Sequence, residues 1–207
     1  DVSGHFVSTA GDVNGDGFDD VIISANGADP NGTDSGSSYV VFGKAGGFAA
    51  TLELSSLDGS NGFRLDGENP HDYAGTVSSA GDINGDGFAD LVIGVSGTDT
   101  NGNASGSSYI VFGKGSNFDA VLDLTNLDGR NGFRLVGSLY DQLGHSVSSA
   151  GDVNGDGFDD VIMGAEGYSF SYVLFGKANG FAATMDLSSL DGHDGFRLDG
   201  AGTSVSS

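Results

Sequence analysis

Cysteine is absent from this 207-residue chain, which excludes disulfides and thiolate metal sites and leaves any zinc site to four scattered histidines and the carboxylates. Tryptophan is absent as well, so a common stacking platform for sugars is missing. Positive charge is scarce. Seven Lys and Arg stand against 29 Asp and Glu, and the formal net charge of −22 disfavours a nucleic-acid partner or an anionic-membrane surface. No apolar run reaches bilayer-spanning length, so membrane insertion is not expected, and no signal peptide is visible. Helical periodicity is nearly missing beside 38 glycines, which leaves nowhere for a long helix.

What the chain does contain is one nine-residue acidic loop written three times, at Asp12 to Asp20, Asp82 to Asp90 and Asp152 to Asp160, with 70 residues from one start to the next. Each reads Asp-x-Asn-Gly-Asp-Gly-Phe-x-Asp. The oxygen-bearing side chains fall at positions 1, 3, 5 and 9. These are Asp12, Asn14, Asp16 and Asp20, then Asp82, Asn84, Asp86 and Asp90, then Asp152, Asn154, Asp156 and Asp160. Glycines such as Gly15 and Gly17 accept positive φ and let the backbone coil so that those oxygens turn inward. Three carboxylates and an amide that close together repel one another unless a divalent cation sits among them. Oxygen-only, flexible coordination points to Ca²⁺ before Mg²⁺, at three sites, one per repeat. The backbone carbonyls of Phe18, Phe88 and Phe158 are expected as further ligands.

An EF-hand opens with similar letters but requires a bidentate Glu at position 12 and flanking helices. Position 12 is Ile23, Ile93 and Met163, each inside an apolar run, so the pattern is strand, loop, strand. A hairpin in which the Asn-Gly and Asp-Gly pairs merely form turns explains the glycines. It does not explain Asp20, Asp90 and Asp160 in every copy while position 8 drifts through Asp19, Ala89 and Asp159.

Aligned on the loops, each unit has a short strand ending in Ala-Gly-Asp, the loop, and an apolar strand (Asp20 to Ala25, Asp90 to Val95, Asp160 to Ala165). A polar linker follows, then a strand ending in Phe-Gly-Lys (Ser38 to Lys44, Ser108 to Lys114, Ser171 to Lys177). A Phe- and Leu-bearing connection leads to a fourth strand starting at Gly62, Gly132 or Gly195. The expected class is all-β, with propeller blades of four antiparallel strands. Continuous apolar runs such as Val21 to Ile23 and Tyr39 to Phe42 suit strands buried on both faces.

The expected units are residues 4–73, 74–143 and 144–200, with 201–207 as the first strand of a further blade because Gly202 to Ser207 matches Gly144 to Ser149. The chain opens inside a repeat, which reads as a segment of something longer. Three blades cannot close a ring. An excerpt of a larger propeller, a ring completed by several copies, and a head-to-tail filament all remain open.

Together, Phe-Gly at the end of one strand, Gly164-Ala165 after the apolar strand, and the Asp-x-Asn-x-Asp-Gly-x-x-Asp loops resemble the FG-GAP repeats of the integrin α-subunit propeller and of bacterial secreted proteins. The resemblance implies a calcium-stabilised β-propeller and carries the ion-binding role onto the loop residues above. It departs in size, since that family closes with about seven blades.

Other chemistry has little anchor. His5 and His145 occupy matching positions but Gly75 stands there in the second copy, while His71 and His193 lie in unrelated loops. Arg64, Arg134 and Arg197 recur between Phe and Leu, as scaffold elements that pair with a carboxylate or cover apolar surface. Glu53, Glu68 and Glu166 form no acid–base pair by position, and no nucleophile motif is present, so the chain reads as a non-enzyme. Glycosylation acceptor triplets begin at Asn31 and Asn103, in linkers rich enough in Asn, Ser and Gly to generate them by chance.

The sequence therefore points to a calcium-stabilised extracellular structural or adhesion module. Its variable linkers would present a surface to a protein, a glycan or another copy of itself. The alternative is part of a propeller enzyme or lectin acting on polysaccharide.

Overall fold

The computed structural model describes residues 3–116 and 118–200, whose regular secondary structure is almost wholly strand. The strands are β1 (Val7–Gly11), β2 (Asp20–Ala25), β3 (Ser37–Val41), β4 (Gly62–Asp66), β5 (Thr76–Gly81), β6 (Asp90–Val95) and β7 (Ser107–Val111). They continue with β8 (Val121–Asp123), β9 (Gly132–Val136), β10 (Leu143–Gly151), β11 (Asp160–Ala165), β12 (Phe170–Leu174), β13 (Thr184–Asp186) and β14 (Gly195–Asp199). Helix is confined, among the described residues, to three-residue 3-10 turns such as Leu54–Ser56. No helix among them is long and apolar enough to cross a membrane, which says nothing of a β-barrel.

Three sheets follow the repeats, in the orders β1-β2-β3-β4-β8, β5-β6-β7-β9-β13 and β10-β11-β12-β14. Within each, the four strands of one repeat form an antiparallel meander, as in a propeller blade. The apolar strands start and stop as expected, because an Asp ends the loop on one side and small residues end the run on the other.

Strand alternation explains why the middle blade needs apolar residues at every position. Leu91, Ile93, Val95, Tyr109 and Val111 point into a core shared with blade 1 residues Ile22, Val40, Phe63 and Leu65. Their neighbours Val92, Ile110, Phe133 and Leu135 point the other way, into a core shared with Val161, Met163, Tyr172 and Leu174 of blade 3. The side-chain period of two thus divides one sheet between two cores.

The expected four-stranded meander gains an outer strand in two blades, and one expected strand boundary is corrected. Blades 1 and 2 have five strands, because the connection of the following repeat lies against the outer edge of the preceding sheet. β8 pairs in parallel with β4 (Arg64 with Val121, Leu65 with Leu122, Asp66 with Asp123), and β13 pairs in the same way with β9. The third strand of each repeat also ends early, at Val41, Val111 and Leu174, because the glycine that follows turns its N–H away from the ladder. The expected strand over 201–207 lies outside the described residues.

Candidate metal centre

Each acidic loop bridges the first two strands of a blade, with a bulge where Gly11, Gly81 or Gly151 faces Asp20, Asp90 or Asp160. In the first loop the Asp16 N–H donates to Asp12 Oδ1 and Asn14 Oδ1, both at 3.0 Å, and the Gly17 N–H donates to Asp12 Oδ2 at 2.9 Å. Positions 1, 3 and 5 are therefore drawn together by one backbone turn. The Asn14 amide donates to Asp16 Oδ2 at 3.1 Å. The other two loops repeat this pattern bond for bond. At Asp152 the Gly157 N–H is the leading cause that holds the carboxyl below the usual carboxylate range.

Position 9 has a separate role that spacing did not reveal. Asp20 is buried, its Oδ2 accepting from the Val13 N–H at 2.9 Å and its Oδ1 from the Gly43 N–H at 2.7 Å. Asp90 does the same with Ile83 and Gly113, and Asp160 with Val153 and Gly176. One carboxylate thus ties the start of the loop to the Phe-Gly turn of the third strand. A Cβ on Gly43, Gly113 or Gly176 would lie 2.4–2.5 Å from the carbonyl oxygen of Asp19, Ala89 or Asp159, so only glycine lets the two backbones approach.

Burial raises the Asp20 carboxyl to about 6 and the Asp90 carboxyl to about 8, with the charges of positions 5 and 1 adding to the rise. Among the described residues neither carboxylate makes an ion pair. Among the described residues no three His, Asp or Glu side chains converge as a preformed metal cluster. The donor chemistry nevertheless fits a hard dication: all donors are oxygen, several are anionic, and the buried carboxylate lacks a positive partner. Asp16 also lines a groove of about 460 Å³ with Asn14, Phe42, Asp58 and Phe118, which gives the first loop access to solvent.

The other candidates settle into the scaffold or its surface. Arg64 and Arg197 pair with Asp66 and Asp199, two residues on along the same strand. Arg134, with Val136 at that position, instead reaches Glu68 of the preceding blade at 3.7 Å and covers the Tyr109 ring. Tyr109 and Tyr172 donate across blades to Glu68 and Asp141, polar contacts that strand patterning did not flag, and burial pushes the Tyr172 hydroxyl up to about 12. His145 and Glu166, unrelated by position, meet at 3.0 Å on the exposed surface of blade 3. The Asn31 amide nitrogen donates to the Gly67 carbonyl, and its counterpart Asn101 donates to Gly137. A sugar on Asn31 would leave a single amide N–H to make that bond.

The comparisons agree with this architecture. A family model described as "FG-GAP repeat" matches residues 3–41, 74–111 and 143–183, more than half of the chain. Integrin alpha-PS5 of Drosophila melanogaster is 30% identical over 166 residues, covering 79% of this chain and 15% of the relative. Integrin alpha pat-2 of Caenorhabditis briggsae is 29% identical over 177 residues, covering 80% and 13%. Integrin alpha-6 of Gallus gallus is 29% identical over 102 residues, covering 48% and 9%. The chain spans no more than about a seventh of those relatives' length. Three matched repeats, each carrying its acidic loop, its Phe-Gly turn and a four-stranded meander, place the chain in the FG-GAP repeat family as an integrin-α-like β-propeller module.

Proposed function

We propose that the chain is a calcium-stabilised, extracellular, non-enzymatic adhesion-type module whose loops engage a protein partner. The observation that carries the calcium reading is the buried position-9 carboxylate, which is paired only with backbone N–H groups and feels the charges of the carboxylates at positions 1 and 5, in a loop that recurs in all three repeats. Bound calcium supplies the positive charge that offsets that repulsion. Asp12, Asn14, Asp16 and the Phe18 carbonyl, with Asp20, are the residues that would hold it in the first blade. Asp82, Asn84, Asp86, Phe88 and Asp90 do so in the second, and Asp152, Asn154, Asp156, Phe158 and Asp160 in the third. Millimolar calcium is an extracellular condition, which supports that location.

The partner surface lies at the opposite end of the blades, in the linkers between second and third strands and between repeats. Among the described residues seven other than glycine adopt positive φ, and all fall there: Asp34, His71, Tyr73, Ala104, Tyr140, Gln142 and Ser169. Backbone held in that region clusters at binding sites. Exposed Leu139 accompanies them, with exposed Tyr73, Tyr140 and Tyr168, whose apolar bodies and polar tips suit a protein surface.

Equilibrium dialysis tests the calcium reading. Three ions per chain are expected, with Asp16→Ala, Asp86→Ala and Asp156→Ala each removing one. No saturable calcium binding would overturn it.

A further inference from the structure

We propose that Asn179-Gly180, in the turn that leads into the second blade junction, is a spontaneous modification site. The chain deamidates and isomerises there first, and the product loosens the contact between blades 2 and 3. This goes beyond the adhesion reading and depends on neither calcium nor a partner.

The chemistry needs only water. The Gly180 backbone nitrogen attacks the Asn179 side-chain carbonyl carbon, the new C–N bond closes a succinimide ring, and the side-chain nitrogen leaves as ammonia with the glycine N–H proton. Water then opens the ring at either carbonyl. One opening gives an ordinary aspartate. The other gives isoaspartate, whose backbone runs through the former side-chain carbon and is longer by a methylene. Glycine in second place favours ring closure because no side chain shields the attacking nitrogen.

Asn-Gly is written nine times in this chain, and the fold treats the copies unequally. Closure requires the asparagine side chain to swing onto the glycine nitrogen, so an amide held by hydrogen bonds resists it. In the acidic loops the amides of Asn14, Asn84 and Asn154 both donate to the position-5 carboxylate and accept from its backbone N–H. Asn61 and Asn131 are held at both ends too, accepting from the N–H of Asp58 and Asp128 and donating to the carbonyls of Ser56 and Asn126. Asn31 and Asn101 donate to Gly67 O and Gly137 O. Asn26 is half-buried, and its Cβ occupies the place where a Cβ on Gly75 would point.

Asn179 is the exception. It is exposed, and among the described residues no hydrogen bond reaches its amide or the Gly180 N–H. Nothing lies within 4 Å of where a Cβ on Gly180 would sit, so the ring has room to form. Blades 1 and 2 carry Gly46-Gly47 and Ser116-Asn117 at this point of the repeat, which makes the pair peculiar to blade 3.

The turn also sits where a change of backbone length is felt. On one side the Lys177 N–H donates to Ile83 O at 2.9 Å, and on the other the Arg134 N–H donates to Ala183 O at 2.9 Å, so both flanks are fastened to blade 2. Between them Phe181 stacks on Phe133 with ring centroids 4.3 Å apart. A methylene added two residues before Phe181 displaces either the ring or an anchor, and a close-packed contact does not absorb it.

The full chain aged in mildly alkaline buffer tests the site. Trypsin releases residues 178–197 with Asn179 as their only asparagine, and residues 45–64 with only Asn61. The first peptide should convert amide to acid soonest, with isoaspartate read by enzymatic methylation. The second should lag about tenfold, the factor that breaking one or two hydrogen bonds adds to a barrier. In urea the lag should vanish, because only folding restrains Asn61. Equal rates in the folded chain, or a lag that persists in urea, would overturn the site. For the junction, the aged chain should melt below Asn179→Asp, which carries the new charge without the methylene, and aged Asn179→Gln should keep its midpoint. Equal melting of the aged chain and Asn179→Asp would overturn the loosening.

Discussion

β9 and β14 begin with the same four residues, Gly-Phe-Arg-Leu, and meet opposite fates. In β9, Gly132, Phe133 and Leu135 are buried and Arg134 is held between Glu68, Ser107 and the Tyr109 ring. In β14 only Gly195 is buried, Arg197 is exposed beside Asp199, and Leu198 faces solvent. The strand sequence selects a β conformation and two faces. The neighbouring blade decides whether the second face is worth anything.

The comparison is broken most severely by Phe133→Ala, which empties a fully buried site stacked on Phe181 and tilted against Phe112. A loss of about 3–5 kcal/mol is expected by urea unfolding, against about 1 kcal/mol for Phe196→Ala in the monomer. Equal losses would show that burial of the second face contributes nothing.

The calcium loops sharpen it next. Loop 2 is braced by Phe158 against Gly85, while nothing lies within 4 Å of where a Cβ on Gly155 would sit in loop 3. At a hundredfold excess of calcium over Kd each occupied site contributes about 2.7 kcal/mol. Asp86→Ala should forfeit that amount, and Asp156→Ala less, because its unbraced loop binds more weakly. Thermal melts at fixed calcium report the difference.

Gly129 and Gly192 separate neighbour from backbone. Both have positive φ, 92° and 93°, so Ala at either carries the same handedness cost of about 1–2 kcal/mol. At Gly129 the new Cβ also lies 2.3 Å from Phe181 O, which adds about 2 kcal/mol of displacement. The smallest contrast is between the arginines: each lies over a ring, Arg197 over Phe170 and Arg134 over Tyr109, but Arg197→Ala removes an exposed pair and should lower the melting midpoint least, while Arg134→Ala, which also loses a bond to Ser107, should cost about 1–2 kcal/mol.

Much of this fold was legible because each signal was local. Asp20 to Ala25 announced a strand by an apolar run between an acidic loop and small residues, and Ile23 at position 12 excluded the EF-hand without further information. What was not legible depends on another blade or a distant turn. Val121 to Asp123 is too short to alternate, and its partner β4 lies more than fifty residues earlier. Asp20 reads as one of four equivalent loop oxygens until Gly43, 23 residues away, is seen donating to it. His145 and Glu166 meet only because β10 and β11 pair past a bulge.

Thermal unfolding of the full chain across a calcium titration, starting from chelator, tests the central claim most directly. The midpoint should climb steadily with the logarithm of free calcium, and the rise should vanish in the Asp16→Ala, Asp86→Ala, Asp156→Ala triple variant. A midpoint that is the same in chelator and in millimolar calcium would contradict a calcium-stabilised propeller.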